Sequence, residues 1–356
     1  MKRFMFLSLF LLVIAHSVVY AQGSYLCNDS LRILNIGNSF TNNSTVYLKN
    51  MVECAGINTD SICIYKYTRG VASFHTVHDC RNDNDEATYA VEKVLGNLDQ
   101  NISGIGNSYD GSILRSAIKN CKWDVIIIQQ TSQYSNEYGV WNGHGPGGYL
   151  KEFMDTLRKY QPLAEIGISL PHSSYLQNHD TNERHYEIAN SVKEFCKDYN
   201  VDFVIPYGTA VQNIRMSRIN TTKYGFSVDM HHLAEGVGCY VANAAYFEAV
   251  FKPRYGISII GNSFRFEVPE EVLLEANYPE ECISVTDENA HDCQMAAVLS
   301  VKDMFVVTNP DDYTSSIEYA RNSIRKGRKH ISNNQIVIEN SRCFYNTMGV
   351  STTFNK

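Results

Sequence analysis

Short apolar runs alternate along this chain with segments whose apolar residues recur every three or four positions. The run Val-Ile-Ile-Ile at 125–128 is the strongest, because four β-branched residues in succession suit a strand that is covered on both faces. Further strands are predicted at residues 33–36, 62–67, 166–170 and 203–205. Helices are predicted at residues 48–55, 149–160, 183–199, 233–251 and 288–304.

This alternation predicts an α/β fold with three layers, in which a central parallel sheet is flanked by helices on both sides. In such sheets the residues that bind or react lie beyond the carboxyl ends of the strands. Ser39, Gly70, Gln130 and Pro171 all fall just past a predicted strand. We therefore expect these four residues at the same edge of the sheet.

The first 21 residues have the pattern of a secretory signal peptide. Residues 1–3 are Met-Lys-Arg, residues 4–14 are apolar, and Ala21 is the small residue before the predicted cut. The apolar run is too short to span a bilayer, so we expect a secreted or periplasmic protein without stable membrane insertion after cleavage. Residues 22–326 are predicted to form one α/β domain and residues 327–356 a C-terminal tail.

Composition argues against several classes of function. The 356 residues carry a net charge of -7 and no basic patch stands out, so nucleic acid is not an expected partner. The ten cysteines form no Cys-x-x-Cys pair, and the histidines around His75 and His172 lack the spacing of a known metal site. We expect no metal or other cofactor, and the disulfide pairing stays open.

A candidate nucleophile follows the first predicted strand. The tetrapeptide Gly-Asn-Ser-Phe at 37–40 leads into a helix, whose N-terminus stabilises negative charge through its N–H groups and dipole. Ser39 could equally be a helix cap or a turn residue. The same tetrapeptide recurs at 261–264, where no helix start follows it. The tetrapeptide alone therefore does not identify a nucleophile.

A candidate base and its carboxylate partner precede the next long helix. Asp229 and His232 are three residues apart, so a single turn places them on one face within hydrogen-bonding distance. His231 is the competing imidazole, but its spacing of two from Asp229 directs it elsewhere. The structural alternative makes Asp229 a helix cap and His232 a packed residue of the first turn.

Together, Gly-Asn-Ser-Phe at 37–40 and Asp229-x-x-His232-Leu233 resemble the SGNH, or GDSL-like, hydrolase superfamily, with Asn38 in place of the usual Asp. Three further segments extend the resemblance, which covers roughly residues 31–251. They are Tyr-Thr-Arg-Gly-Val-Ala-Ser at 67–73, Trp-Asp-Val-Ile-Ile-Ile-Gln-Gln-Thr-Ser at 123–132 and Ile-Pro-Tyr-Gly-Thr-Ala-Val-Gln-Asn at 205–213. These segments are similar to a branch of largely uncharacterised secreted bacterial proteins, and they imply the flavodoxin-like three-layer fold of the superfamily.

The resemblance implies a role for each matching residue. Ser39 would be the nucleophile, His232 the general base and Asp229 the carboxylate that orients it. The N–H groups of Ser39 and Gly70 would be two donors of an oxyanion hole, which stabilises the negative oxygen of the reaction intermediate.

The third oxyanion donor is where this chain departs from the superfamily. The usual donor is an Asn in a Gly-x-Asn-Asp block, and Gln-Gln-Thr-Ser stands at 129–132 instead. An amide side chain of Gln130 is expected to supply the same hydrogen bond, with Gln129 as the alternative.

The resemblance thus implies a secreted serine esterase, and we expect it to remove acyl groups, most plausibly acetyl groups, from a carbohydrate. The 23 tyrosines suit a sugar-facing cleft. A lipid or aryl ester hydrolase is the alternative within the same class and would show a broad apolar groove beside Ser39. A glycan-binding protein that has the fold without the activity is the alternative from another class.

Overall fold

The computed structural model describes residues 30–80, 90–98, 111–175, 180–313, 328–332, 335–339, 344–345 and 351–352. Within these ranges, one six-stranded sheet has the strand order β3-β2-β1-β4-β5-β6. Its strands are β1 (Leu31–Gly37), β2 (Ile62–Thr68), β3 (Ala90–Leu95), β4 (Val125–Ile128), β5 (Glu165–Ser169) and β6 (Phe203–Ile205). Neighbouring strands are parallel except for β2 and β3. The predicted α/β fold with a central, mostly parallel sheet is confirmed.

Helices connect and follow these strands. They are α1 (Ser39–Asn43), α2 (Leu48–Cys54), α3 (Phe74–Cys80), α4 (Gly111–Asn120), α5 (Leu150–Tyr160), α6 (Thr181–Asp198), α7 (Tyr207–Arg215), α8 (Val237–Val250), α9 (Lys252–Tyr255), α10 (Glu270–Glu275) and α11 (Ala290–Lys302). The helix predicted from residue 233 begins only at Val237, because the residues before it form a loop.

Strand β3 is the antiparallel exception and lies outside every predicted strand. It occupies one end of the strand order, where β2 is its one neighbour among the described strands. Val91 is buried while Glu92 and Lys93 are exposed, and charged side chains of this kind are common on the edge strand of a sheet. Its short, charged sequence lacks the apolar run that marks the strands in the middle of the sheet.

Two layers of helices cover the two faces of the sheet. On one face, Ile33 and Ile127 share a core with α2, α7, α8 and α11. On the other face, Leu34 and Ile126 share a core with α3, α4, α5 and α6. Successive strand residues point to opposite faces, so the central strands contribute to both cores. This arrangement is the three-layer fold that the alternation of strands and helices predicts.

The carboxyl-terminal part of the described chain contains a second, antiparallel sheet with the order β10-β9-β8-β7. Its strands are β7 (Arg328–Ser332), β8 (Gln335–Glu339), β9 (Phe344–Tyr345) and β10 (Ser351–Thr352). None of the helices in the described ranges is both long enough and apolar enough to cross a bilayer. The predicted signal peptide lies outside the described residues.

His185 in α6 links the stability of the fold to pH. Its side chain is fully buried, and its Nε2 lies 3.4 Å from Thr209 Oγ1. Burial, and then the positive charges of Arg215 and Lys193, lower the pKa of His185 to about 4. An exposed histidine in the unfolded chain has a pKa of about 6.5. The unfolded state therefore takes up a proton at a higher pH than the folded state, and stability falls as the pH drops from about 6.5 toward 4.

We expect His185→Gln to weaken this acid sensitivity. Between pH 7 and pH 4.5 the variant should lose about 2 kcal/mol less unfolding free energy than the unmodified protein. Urea denaturation of both proteins at the two pH values measures the difference. The same pH dependence in both would show that His185 does not carry this linkage.

Candidate active site

The turn between β1 and α1 presents Ser39. Gly37 lets the Thr41 side chain pack against the backbone of this turn, because a Cβ on residue 37 would lie 2.2 Å from Thr41 Oγ1. Asn38 caps the helix, and its Oδ1 accepts a hydrogen bond from the Phe40 N–H at 3.0 Å. Ser39 is consequently the first helical residue, half-buried at the carboxyl end of a central strand.

Gln129, the first residue after β4, fixes this turn from within the protein. Its Nε2 donates to Asn38 Oδ1 at 2.9 Å, and its Oε1 accepts from Thr41 Oγ1 at 2.8 Å. All three side chains are buried, so water does not compete for these hydrogen bonds. Gln129 therefore holds the turn that carries Ser39, and both ends of its amide are occupied.

A tight loop at 227–233 presents the second half of the site. An antiparallel bridge joins Ser227 to Leu233 and closes the loop at its base. At its tip Met230 has a φ of 65°, a conformation that residues other than glycine adopt at an energetic cost. The loop ends shortly before α8, and the Ala234 N–H donates to the Phe226 carbonyl at 2.8 Å, which ties the end of the loop to its start.

Asp229, His232 and Ser39 form a continuous hydrogen-bonded path. Asp229 Oδ2 lies 2.7 Å from His232 Nδ1, and His232 Nε2 lies 2.9 Å from Ser39 Oγ. Asp229 Oδ1 accepts from the N–H groups of His231 and His232 at 2.9 and 2.6 Å, which fixes the carboxylate. The side chains of His232 and Asp229 are 36% and 31% exposed, so the path is open to a substrate.

The Asp229 carboxylate is held in its ionised form. Burial raises its pKa, but hydrogen bonds from the His232 ring and from the N–H groups of His232 and His231 outweigh burial and lower the pKa overall. An ionised Asp229 accepts the Nδ1–H of His232, which leaves Nε2 to accept the Ser39 hydroxyl proton. A general base next to a serine nucleophile requires this tautomer.

The competing histidine, His231, contacts a different hydroxyl. Its Nε2 lies 3.3 Å from Ser132 Oγ, and its ring centre lies 4.7 Å from that of Phe40. Burial, and then the neighbouring His232, lower the pKa of His231. The i, i+2 spacing from Asp229 does direct His231 away from the Asp229 side chain, and only its backbone N–H contacts that residue.

His172, just past β5, contacts the loop at 227–233, which we call the histidine loop. Its Nε2 lies 2.8 Å from the His231 carbonyl oxygen, and its ring stacks on Phe40 with 4.0 Å between centroids. Burial, and then the charge of Arg215, lower the pKa of His172 well below the ordinary value. A neutral ring that donates to the His231 carbonyl is therefore a support for the loop.

Two backbone N–H groups that follow the adjacent strands β1 and β2, those of Ser39 and Gly70, have no acceptor within the described part of the chain. Gly70 follows β2, the neighbour of β1, and the Arg69 N–H donates to the Gly37 carbonyl at 3.2 Å. That bond ties the two turns together. Val71 has a φ of 52°, a strained value for a β-branched residue. The two backbone donors expected for an oxyanion hole thus lie at adjacent strand ends.

Gln130 does not take the place expected of a third donor. It is 1% exposed, and its Nε2 donates to the Gly147 carbonyl at 2.9 Å. Its Oε1 accepts from the N–H groups of Phe74 and Thr131 at 3.2 and 3.0 Å. The structure therefore corrects the expectation that this amide is aimed at an oxyanion. A buried amide has to satisfy its own donors and acceptors, and here it joins the start of α3 to a glycine-rich loop.

Two buried charged residues that local motifs do not reveal support the histidine loop. Glu281 accepts hydrogen bonds from three N–H groups in residues 224–227. Arg215 donates to the carbonyls of Gly225 and Ser173 at 3.0 and 2.8 Å. Burial lowers the pKa of Arg215 to about 10. Both residues act through the folded backbone, which no short sequence pattern describes.

The second Gly-Asn-Ser-Phe segment differs from the first in its surroundings. Asn262 Oδ1 accepts from the Phe264 N–H at 3.0 Å, which repeats the capping contact, but no helix follows. Ser263 is exposed on this loop. Over the described residues, no group of three His, Cys, Asp or Glu side chains could hold a metal ion.

We expect Gln130→Ala to destabilise the protein. The substitution leaves the N–H of Phe74 and the carbonyl of Gly147 without their side-chain partner, which costs about 1–3 kcal/mol. Chemical denaturation measures this loss against Gln133→Ala, a substitution of an exposed neighbour. If the free energy of unfolding is unchanged and kcat falls, Gln130 acts as an oxyanion donor after all.

No curated protein matches this chain. The crystal structure of a DUF4886 family protein from Bacteroides uniformis matches with 23% identity and a TM-score of 0.61, over 80% of this chain and 99% of that chain. At that identity the likeness shows a shared fold.

Two other solved structures match less closely. A candidate SGNH hydrolase from Slackia heliotrinireducens has 12% identity and a TM-score of 0.34, over 58% of this chain and 91% of its own. An acetyl xylan esterase from the rumen bacterium Butyrivibrio proteoclasticus has 16% identity and a TM-score of 0.21, over 49% and 55%. The model of a family described as a domain of unknown function, DUF4886, matches residues 32–273, which is more than half of the chain. The chain therefore belongs to the DUF4886 family.

Proposed function

We propose that this protein is a serine hydrolase that cleaves carboxylic esters through Ser39, His232 and Asp229. The observation that carries the proposal is the pair of contacts at His232, 2.9 Å to the Ser39 hydroxyl and 2.7 Å to the Asp229 carboxylate. A hydroxyl, an imidazole and a carboxylate joined in this order are the parts that acyl transfer to serine requires.

In the first half of the proposed reaction, Ser39 Oγ attacks the ester carbonyl carbon while its proton passes to His232 Nε2. The carbonyl π electrons move to the oxygen and give a tetrahedral oxyanion. When the oxyanion collapses, the bond to the alcohol oxygen breaks and His232 returns the proton to that oxygen. Asp229 stays ionised throughout and stabilises the imidazolium between the two proton transfers.

In the second half, water hydrolyses the ester formed between the acyl group and Ser39. His232 Nε2 takes a proton from water as the water oxygen attacks the acyl carbon. Collapse of this second oxyanion breaks the bond to Ser39 Oγ, which recovers its proton from His232. The products are a carboxylic acid and the free serine, so the protein is unchanged after one turnover.

Both oxyanions need donors that are in place before the charge develops. The N–H groups of Ser39 and Gly70 have no protein acceptor in the described ranges and follow adjacent strands, which supports this role. The loss of one such donor lowers kcat by roughly a hundredfold to a thousandfold in a well-studied serine protease. Two backbone donors therefore account for a substantial part of the proposed catalysis.

We extend the proposal to acetylated carbohydrates outside the cytoplasm. The basic and apolar pattern of residues 1–21 supports export. A group of rings supports a sugar ligand: Tyr149 has His75, His78 and His144 around it, with ring centroids at 5.3, 4.4 and 4.8 Å. Flat rings of this kind offer apolar faces with polar edges, which suit the C–H and O–H groups of a pyranose.

The loop before Tyr149 is hydrogen-bonded to the segment that follows Gly70. Ser73, three residues after Gly70, donates a hydrogen bond to the carbonyl of Pro146. Gln130 also donates to Gly147 in the same loop. The loop that leads to Tyr149 is therefore joined to the segment that carries the Gly70 N–H.

One observation favours a second candidate, the hydrolysis of lipid or aryl esters. Val71 directly follows Gly70 and is 71% exposed. An apolar side chain left in water beside a reacting group gains free energy when it contacts an acyl chain or an aryl ring. The two candidates differ in the size of the acyl group that the site prefers.

Ser39 should be the residue that reacts with a fluorophosphonate. We expect mass spectrometry to find the adduct on Ser39, and Ser39→Ala to lower kcat by at least about a thousandfold. Ser263→Ala is the matched control, because Ser263 has the same local sequence on an exposed loop. An adduct on Ser263, or full activity of Ser39→Ala, would contradict the proposed mechanism.

A series of p-nitrophenyl esters should separate the two substrate classes. We expect kcat/KM to be highest for acetate and to fall for butyrate and octanoate, and acetate to be released from acetylated xylo-oligosaccharides. If octanoate is preferred and Val71→Ser removes that preference, lipid or aryl ester hydrolysis is the better description.

A further inference from the structure

Of the four residues that follow β4, one has a side chain that is only partly buried. Gln129, Gln130 and Thr131 are 2%, 1% and 1% exposed, and the two glutamine amides are bonded within the protein. Ser132 is half-buried, and its hydroxyl contacts the His231 ring. Any side-chain donor that this segment offers to a substrate is therefore the Ser132 hydroxyl.

Ser132 belongs to a closed set of contacts among three segments, one of which carries Ser39. The turn between β1 and α1 is bonded to the segment after β4, because Gln129 Nε2 donates to Asn38 Oδ1 at 2.9 Å. The same turn bonds to the histidine loop through Ser39 and His232. Ser132 Oγ completes the set, because it lies 3.3 Å from Nε2 of His231, the residue before His232.

The contact between His231 and Ser132 has a direction. The Nδ1 atom of His231 is buried and has no hydrogen-bond partner among the described residues, so a proton on Nδ1 would be an unsatisfied buried donor. The proton therefore belongs on Nε2, which donates to Ser132 Oγ. Ser132 keeps its own proton free for another acceptor. This is the reverse of the pair at Ser39, where the imidazole accepts.

We propose that the Ser132 hydroxyl is a third oxyanion donor and that His231 positions it; the inference rests on the proposed ester hydrolysis. As negative charge develops on the carbonyl oxygen held by the Ser39 and Gly70 N–H groups, the Ser132 O–H donates a hydrogen bond to that oxygen. No covalent bond to Ser132 forms or breaks. The hydrogen bond from His231 polarises the hydroxyl and makes it a stronger donor.

Kinetics with p-nitrophenyl acetate test the role of Ser132. We expect Ser132→Ala to lower kcat by roughly tenfold to a hundredfold with KM within about twofold, as for a contact made in the transition state. Ser132→Thr keeps a hydroxyl and should retain most of the activity. Gln133→Ala, the exposed neighbour, is the control. A kcat for Ser132→Ala equal to that control, or a rise in KM alone, would overturn the inference.

A matched pair of substitutions tests His231. His231→Gln keeps an N–H donor at the distance of Nε2 and should retain kcat, whereas His231→Leu keeps the bulk without the donor and should lower it. In the Ser132→Ala background the leucine substitution should add little, because both changes remove the same contact. Fully additive losses would overturn the positioning role.

The same assay separates this inference from the proposed function. The unmodified protein and Ser39→Ala are measured beside the Ser132 variants, and thermal unfolding shows whether each variant is folded. If the unmodified protein is no faster than Ser39→Ala, both the function and the inference fail. If it is faster and Ser132→Ala matches it, only the role of Ser132 fails.

Discussion

The site depends on the path that the main chain takes between residues 224 and 233. Three residues on this path have positive φ, and for those that are not glycine this costs on the order of 1 kcal/mol or more. They are Gly225, Phe226 and Met230, with φ of 53°, 63° and 65°. Two carboxylates offset the cost: Glu281 accepts N–H groups before the tip of the loop, and Asp229 accepts them at the tip. Asp229 also bonds to the His232 ring, so the same carboxylate shapes the loop and fixes the orientation of that ring.

The opposite half of the site rests on buried amides. Gln129 fills the space beneath the Ser39 turn and satisfies Asn38 and Thr41 together, so the turn cannot shift without breaking buried hydrogen bonds. The two halves are 193 residues apart in the chain and meet because β1 is a central strand. The ring of Phe40, next to Ser39, packs against imidazoles of the facing segments and fills the contact between the halves.

The part of this structure that could be predicted from sequence is the part governed by local patterns. The β-branched run at 125–128 and the period of the long helices identify the central sheet and its layers. The three-residue spacing of Asp229 and His232 selects, over His231, the imidazole that contacts both Asp229 and Ser39, because a tight turn fixes which side chains can meet. The position of the Gln130 side chain could not be predicted. A strand end shows where a side chain begins, but not which buried groups it will hydrogen-bond to. Glu281 acts on backbone more than 50 residues away, and no local signal marks it.

Helix α8 is buried along its whole length, and α11 supplies part of its cover. The helix has the sequence Val-Gly-Cys-Tyr-Val-Ala-Asn-Ala-Ala-Tyr-Phe-Glu-Ala-Val, which offers no polar side to water. The segment that defines the family ends at residue 273, before α11 begins. A polypeptide ended at that boundary would expose an apolar helix surface, and such surfaces promote self-association. The matched segment therefore does not by itself supply all the cover of α8, and a piece of this chain that keeps α8 buried has to include α11.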